Sequence, residues 1–224
     1  MFKNIVFIWI MLTLHSACGS AQPPLAITKN GKALASIVLH KDASKSDEKA
    51  ALVLQKYLKR MSGASRHILR EEPRDSTNII LIGAAAADYA GKADMQADGY
   101  IIRQEGHRLL IYGSGGKSAL YGVYTLLEDV LGCRKLDQGA AMVPHQPTIN
   151  LPEALNLSSE PALVYRESFY PAAMDNEYMD WHKLHRFEDL WGIWGHSYFK
   201  LVDPENYFAA HPEYFSLVDG RRQA

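Results

Sequence analysis

The sequence predicts an α/β fold, an α+β sandwich in which a small mixed sheet carries two helices on one face. Three features carry that expectation. Apolar residues repeat at helical spacing in two stretches, about 46–63 and 117–131. A continuous apolar run at 78–83 reads as a strand covered on both sides. Two β-type runs, 100–103 and 108–112, flank a short polar turn.

Residues 22–32 form a polar lead-in containing Pro and Gly. Ala33 to His40 alternates loosely and is β-branched at Ile37 and Val38, which predicts a strand. A helix follows, with Ser46 as the expected N-cap and Asp47 and Glu48 in its first turn. Ala50, Ala51, Leu54, Tyr57, Leu58 and Met61 define its apolar face, and Gly63 ends it. Arg66 to Arg70 reads as a short strand. Asn78 to Gly83 is the buried strand, and 84–97 is Ala-rich with room for a short helix. Gln104 to His107 turns the hairpin. Leu120, Val123, Tyr124, Leu127, Val130 and Leu131 form the face of the second helix, closed by Gly132. A last strand is expected within Ala141 to Leu151, among Pro144, Pro147 and Pro152. The order over 26–150 is thus β-α-β-β-β-β-α-β, a unit with one modest core.

The chain begins with the layout of a secretory signal peptide, residues 1–21. Lys3 gives the positive region, Ile5 to Leu14 the apolar core, and Ser16, Ala17, Gly19, Ser20 and Ala21 the small residues. That core is too short to span a bilayer, which takes about 20 apolar residues. Cleavage after Ala21 and lipidation of Cys18 are both compatible with the pattern. The protein is therefore expected outside the cytoplasm, with a membrane contact only through a lipid on Cys18. Cys133 is then the single remaining cysteine, which excludes a disulfide framework and fits a small buried hydrophobe. A net charge of −1 without runs of like charge gives no footprint for nucleic acid.

Composition shifts near Pro161. Of 23 aromatic residues, 14 lie beyond residue 160, which marks 161–224 as a second region with another job. Tyr214 to Val218, Asp219-Gly220 and Arg221 to Ala224 read as a hairpin cut short, so the chain reads as a fragment of a longer protein.

Four constellations invite chemistry. Gly113-Ser114-Gly115-Gly116-Lys117-Ser118 joins a strand to a helix, where phosphate loops sit. Ile111 and Ser118 stand where the phosphate-loop and dinucleotide patterns require Gly, so no nucleotide is expected and a tight turn suffices. His182, His185, Glu188 and Asp189 have metal-compatible spacing on one helix, but such a row is ordinarily a solvated face, and no metal or other cofactor is assigned. Trp191, Trp194 and His196, interleaved with Gly192 and Gly195, suit a sugar, because rings stack on C–H faces and polar groups meet the rim. Close core packing of the same residues is the competing reading. Glu167, Asp175, Glu177 and Asp180 include the carboxylates from which a glycosidase acid or nucleophile would come, with Glu167 the catalytic candidate.

Ser46 to Gly63, Ile79-Ile80-Leu81-Ile82-Gly83 and Leu120 to Glu128 together resemble the N-terminal accessory domain of α-glucuronidases, the fold also found as domain 2 of β-hexosaminidases. The resemblance covers about residues 30–150 and implies a non-catalytic domain at 26–152, packed on a (β/α)8 barrel. Pro161-Ala162-Leu163-Val164-Tyr165-Arg166 looks like the entry to the first barrel strand of those enzymes. The resemblance makes Arg166 a holder of sugar hydroxyls, although Glu167 follows where the family commonly has Gly. Residues 190–222 are similar to an uncharacterised group of secreted bacterial proteins that joins the same domain to a barrel-like region. The implied whole is an exported carbohydrate-active protein, a glycoside hydrolase or a glycan-binding surface protein, with carbohydrate as its partner.

Overall fold

A computed structural model describes residues 24–74, 78–186, 192–193 and 195–224. Its centre is a six-stranded mixed sheet. The strands are β3 (Ala35–Leu39), β4 (Ile68–Leu69), β5 (Asn78–Ile82), β6 (Tyr100–Glu105), β7 (Arg108–Gly113) and β11 (Asn156–Ser159), in the spatial order β11-β6-β7-β5-β3-β4. The pairs β3–β4, β3–β5 and β5–β7 are parallel, and β6–β7 and β11–β6 antiparallel. Parallel neighbours need crossovers, and helices supply cover for both faces. Helices α1 (Lys45–Ser62) and α3 (Ser118–Thr125) pack on one face, over Ile37, Ile80, Ile82, Ile102 and Ile111. The expected two-helix face is present. The opposite face, with Val38, Ile79, Leu81, Leu110 and Tyr112, is covered by α2 (Ala84–Ala90). Because alternate residues of β5 point to opposite faces and both are covered, its apolar run is continuous.

The helix starts and stops follow local chemistry. The N-cap of α1 is Ser44 rather than the expected Ser46. Its hydroxyl accepts from Asp47 N–H at 3.1 Å, and Asp47 Oδ2 accepts from Ser44 N–H at 3.3 Å. That reciprocal box needs an acceptor three residues on, which Ser44 finds in Asp47. Gly63 closes the helix in the left-handed region, φ 76°. Helix α3 lies so close to the sheet that a Cβ on Gly122 would stand 2.7 Å from Ile111 Cγ2. Its continuation, Leu126–Val130, widens into a π-helical turn and delivers Cys133 to the core. Burial there pushes the Cys133 thiol up to about 11, so it is an inert core residue, as expected.

The lead-in is more ordered than its composition suggests. It holds β1 (Ala26–Lys29) and β2 (Lys32–Ala33), joined by Asn30-Gly31 with both φ values positive. Strand β1 also pairs with β10 (Ile149–Asn150), the strand anticipated within 141–151. Strands β8 (Arg134–Lys135) and β9 (Ala141–Met142) form a separate two-stranded ribbon. Strand β11 has no counterpart among the expected strands.

Beyond it, residues 161–170 carry no regular element. Helix α4 (Asn176–Trp181) then docks on the sandwich beside α3. Trp181 is fully buried, its ring 5.3 Å from Tyr57 and 4.9 Å from Tyr124, and its indole N–H donates to Glu128 at 2.7 Å. The C-terminal hairpin pairs β12 (Ser216–Val218) with β13 (Arg221–Gln223) across Asp219-Gly220. No helix among the described residues is long and apolar enough to cross a membrane.

Candidate functional site

Three side chains from distant parts of the chain meet beside the start of α3. Asp98 sits in the turn before β6 with a left-handed backbone, φ 66°. Its Oδ1 accepts from Lys117 N–H at 3.1 Å. Its Oδ2 accepts from Arg166 Nη2 at 3.1 Å and from His185 Nε2 at 3.0 Å. Burial pushes the Asp98 carboxyl up, but the hydrogen bonds from Lys117, His185 and Arg166 outweigh it and hold it below the usual range. Arg166 also donates from Nε to Lys183 O at 2.8 Å and from Nη1 to Leu163 O at 2.6 Å. Its guanidinium thus ties 161–186 to the sheet domain.

Next to this cluster lies a cavity of about 230 Å³ lined by Glu167, Ser168, Phe169, Ala173, Met174, His185 and Arg186. It combines one carboxylate, a hydroxyl and a cation with an aromatic ring and a thioether. Phe169 is two-thirds exposed. Polar groups that fix orientation beside an exposed ring form a surface to which a hydroxylated ring with apolar C–H faces is complementary. Tyr165 lies parallel to His185, 6.4 Å between ring centres, and its hydroxyl donates to Glu167. Arg186 donates from Nη2 to Met174 O at 2.8 Å, holding the far wall.

The other carboxylates serve the docking of α4. Asp175 caps it, accepting from Tyr178 N–H at 2.8 Å. Glu177 accepts from Lys56 at 2.8 Å and from the Tyr57 hydroxyl at 3.1 Å. Burial raises the Glu177 carboxyl, but Lys56 and Lys135 hold it below the ordinary value. Asp180, almost fully buried, pairs with Lys49 of α1 and with Lys117 at 2.9 Å. Of the four carboxylates read as catalytic candidates, Glu167 alone lines this cavity.

The expected helix through His182 and His185 stops at His182, because Lys183 adopts φ 58° and turns the chain. The two imidazoles part. His182 packs on Tyr178 and lies 3.2 Å from Lys135 O, whereas His185 joins Asp98. No group of three metal-type ligands occurs among the described residues. Glu188 and Asp189 lie outside those residues, as do Trp191, Trp194 and Cys18. His196 is exposed. The Gly113–Ser118 loop borders a larger cavity, about 430 Å³, at the ends of β5 and β7 with Ser44 and Asp47 of α1. Asp47 lines that cavity, and Asp98 holds the loop through Lys117. The Asp98–His185–Arg166 cluster is not legible in the sequence, since Arg166 and His185 lie 68 and 87 residues from Asp98 and share no motif with it.

Residues 25–126 match the family model described as the glycosyl hydrolase family 67 N-terminus. Residues 136–224 match a domain of unknown function, DUF4838. The resemblance carried by Ser46–Gly63, Ile79–Gly83 and Leu120–Glu128 therefore holds: this part of the chain is similar to the N-terminal domain of a glycosyl hydrolase family. No curated protein matches the chain. Among solved structures, a GH20 β-N-acetylhexosaminidase from Streptomyces coelicolor A3(2) aligns at 17% identity and TM-score 0.44, over 64% of this chain and 24% of that one. A family GH115 4-O-methyl-α-glucuronidase with specificity for decorated arabinogalactans aligns at 15% identity and TM-score 0.45, over 63% of this chain and 19% of that one. A GH138 enzyme targeting pectin rhamnogalacturonan II aligns at 17% identity and TM-score 0.39, over 59% of this chain and 16% of that one. This chain thus spans less than a quarter of the length of each.

Proposed function

We propose that this chain is the N-terminal part of an exported carbohydrate-active protein, a glycoside hydrolase in its full form. Residues 26–152 act as its non-catalytic accessory domain, and 161–224 begin a barrel domain. The match of residues 25–126 to the N-terminus of glycosyl hydrolase family 67 carries this reading. In it, the Glu167 cavity meets the glycan, with Phe169 against a sugar face and Glu167, Ser168 and Arg186 at its hydroxyls. Arg166 then supports the site from behind, through its backbone carbonyl contacts and Asp98.

Glycoside hydrolysis needs two carboxyl groups, about 5–5.5 Å apart for retention or about 6.5–9.5 Å apart for inversion. Glu167 supplies one at this cavity. Asp175, Glu177 and Asp180 are committed to α4 docking. The chain by itself is therefore expected to bind and not to cleave. A second reading, a non-catalytic glycan-binding surface protein, draws on Glu167 being the one carboxylate that lines this cavity among the described residues. A thermal-shift screen of the full-length protein against a glycan panel, with reducing-sugar release read in parallel, separates them. A stabilising glycan that is also cleaved establishes a glycosidase. Stabilisation without cleavage supports the binder, and no response to any glycan contradicts both. Mass spectrometry of the mature N-terminus distinguishes cleavage after Ala21 from a lipidated Cys18.

A further inference from the structure

We propose that Asp98 is a positioning residue for the Glu167 cavity, and that the Gly113–Ser118 loop serves to aim its carboxylate. What the cavity holds rests on the reading above; the role of Asp98 rests on its own contacts. Asp98 belongs to the stretch matched to the hydrolase N-terminus, whereas the cavity is built by 167–186. A carboxylate of one part therefore orients the working wall of the other.

Asp98 Oδ1, by accepting from Lys117 N–H, occupies the position at the start of α3 where a glycine-rich loop would otherwise offer that N–H to an outside anion. Oδ2 is then left for Arg166 and His185. The second imidazole nitrogen, Nδ1, accepts from Arg166 N–H at 3.3 Å. One tautomer satisfies both contacts, and it makes the 3.4 Å approach of Arg166 Nη2 to Nε2 a meeting of two donors that share Asp98 Oδ2. Nε2 carries the proton and donates to Asp98, and Nδ1 is the acceptor. With both nitrogens hydrogen-bonded, the ring is held in place where it lines the cavity and lies parallel to Tyr165.

Two glycines of the loop leave no slack. Gly116 is left-handed at φ 62°, and a Cβ there would stand 2.9 Å from Asp98 Oδ1. A Cβ on Gly113 would collide with the Gly99 carbonyl and with Ser118. Gly113 and Gly116 are thus required by the approach of Gly99 and Asp98, whereas Gly115 meets no neighbour and is set by its positive φ of 124°. Removing the carboxylate takes away the acceptor that holds His185 Nε2 and Arg166 Nη2 together, and leaves each tied only through its other contacts.

The test uses the full chain, ¹⁵N-labelled, with His185 assigned by comparison with His185→Gln. Long-range ¹H–¹⁵N spectra are expected to show His185 as the Nε2–H tautomer at neutral pH. Asp98→Asn keeps the shape but sets one oxygen and one NH2 group against three donors, Lys117 N–H, Arg166 and His185, and should abolish that fixed pattern. Gly116→Ala, which crowds the carboxylate without removing it, should disturb the same resonances. The exposed control Leu217→Ser, in the C-terminal hairpin, should not. Binding of N-acetylglucosamine and of glucuronic acid is followed alongside, and Asp98→Asn should weaken whichever binds several-fold. A His185 found as the Nδ1–H tautomer, or a spectrum unchanged by Asp98→Asn, overturns the proposal. Failure of both sugars to bind the unaltered chain counts against the glycan reading, while the spectrum still decides the role of Asp98.

Discussion

Residues 25–160 and 192–224 are held together in opposite ways. In the first, α1, β5 and α3 bury almost every apolar side chain between the layers of the sandwich. In the second, Phe199, Leu201 and Leu217 are more than half exposed, and among the described residues Phe215 is the buried one, flanked by Tyr198 and Phe208. Order there comes from local devices: the Asp203 cap, the His211–Glu213 contact and the Asp219-Gly220 turn. Aromatic content alone, then, does not make a core. Core formation follows the spacing of apolar residues along elements long enough to present a face.

If that contrast is right, perturbing the first region should unfold the molecule and perturbing the second should not. The largest effect is expected at the seam between 25–160 and the docked segment. Trp181→Ala removes a fully buried indole from between Tyr57 and Tyr124, and should cost about 3–5 kcal/mol in urea unfolding. Gly113→Ala drives a methyl group into the Gly99 carbonyl and Ser118, for about 1–3 kcal/mol by the same measurement.

Asp98 gives a pH signature. Its carboxyl is held below the ordinary value near 4, so its contribution is fully present above that value and is lost as pH falls through its folded one. The stability gap between the unaltered chain and Asp98→Asn should therefore be flat near neutrality and close in acid. A gap that widens in acid contradicts the assignment.

Smaller still, Ser44→Ala should cost about 1 kcal/mol as the cap of α1, and Ser46→Ala clearly less. Leu217→Ser in the C-terminal hairpin should fall within about 0.5 kcal/mol, as for an exposed residue. An effect there as large as that of Trp181→Ala would erase the contrast.

The first region is largely legible in the sequence because its signals are local and repeated. The apolar face of α1, the continuous run of β5 and the β6–β7 hairpin each declare themselves within a short stretch. What escapes lacks such a signal. Strand β11 reads Asn156-Leu157-Ser158-Ser159, with one apolar residue, because it is an edge strand and needs little burial. Strand β1 is hidden in a polar lead-in, although Asn30-Gly31 is a hairpin turn signal that composition overshadows. Ser44 and Ser46 both look like caps, and only the reciprocal bond from Asp47 separates them.

The site is legible in pieces. Arg166, Glu167 and His185 stand out as residues, but their meeting with Asp98 is a tertiary event between positions far apart in sequence. Asp180 looks like a free carboxylate and is instead clamped by two lysines, from α1 and from the start of α3. A buried carboxylate met by half-exposed lysines leaves no periodic trace.

Chemical-shift mapping on the labelled full chain, titrated with the oligosaccharide that stabilises it most, decides whether the Glu167 cavity is where glycan binds. The largest shifts should cluster at Glu167, Phe169, His185 and Arg186, with Glu167→Gln and Phe169→Ala abolishing them. Shifts centred instead on the Gly113–Ser118 loop and Asp47, with the Glu167 cavity silent, would contradict that assignment.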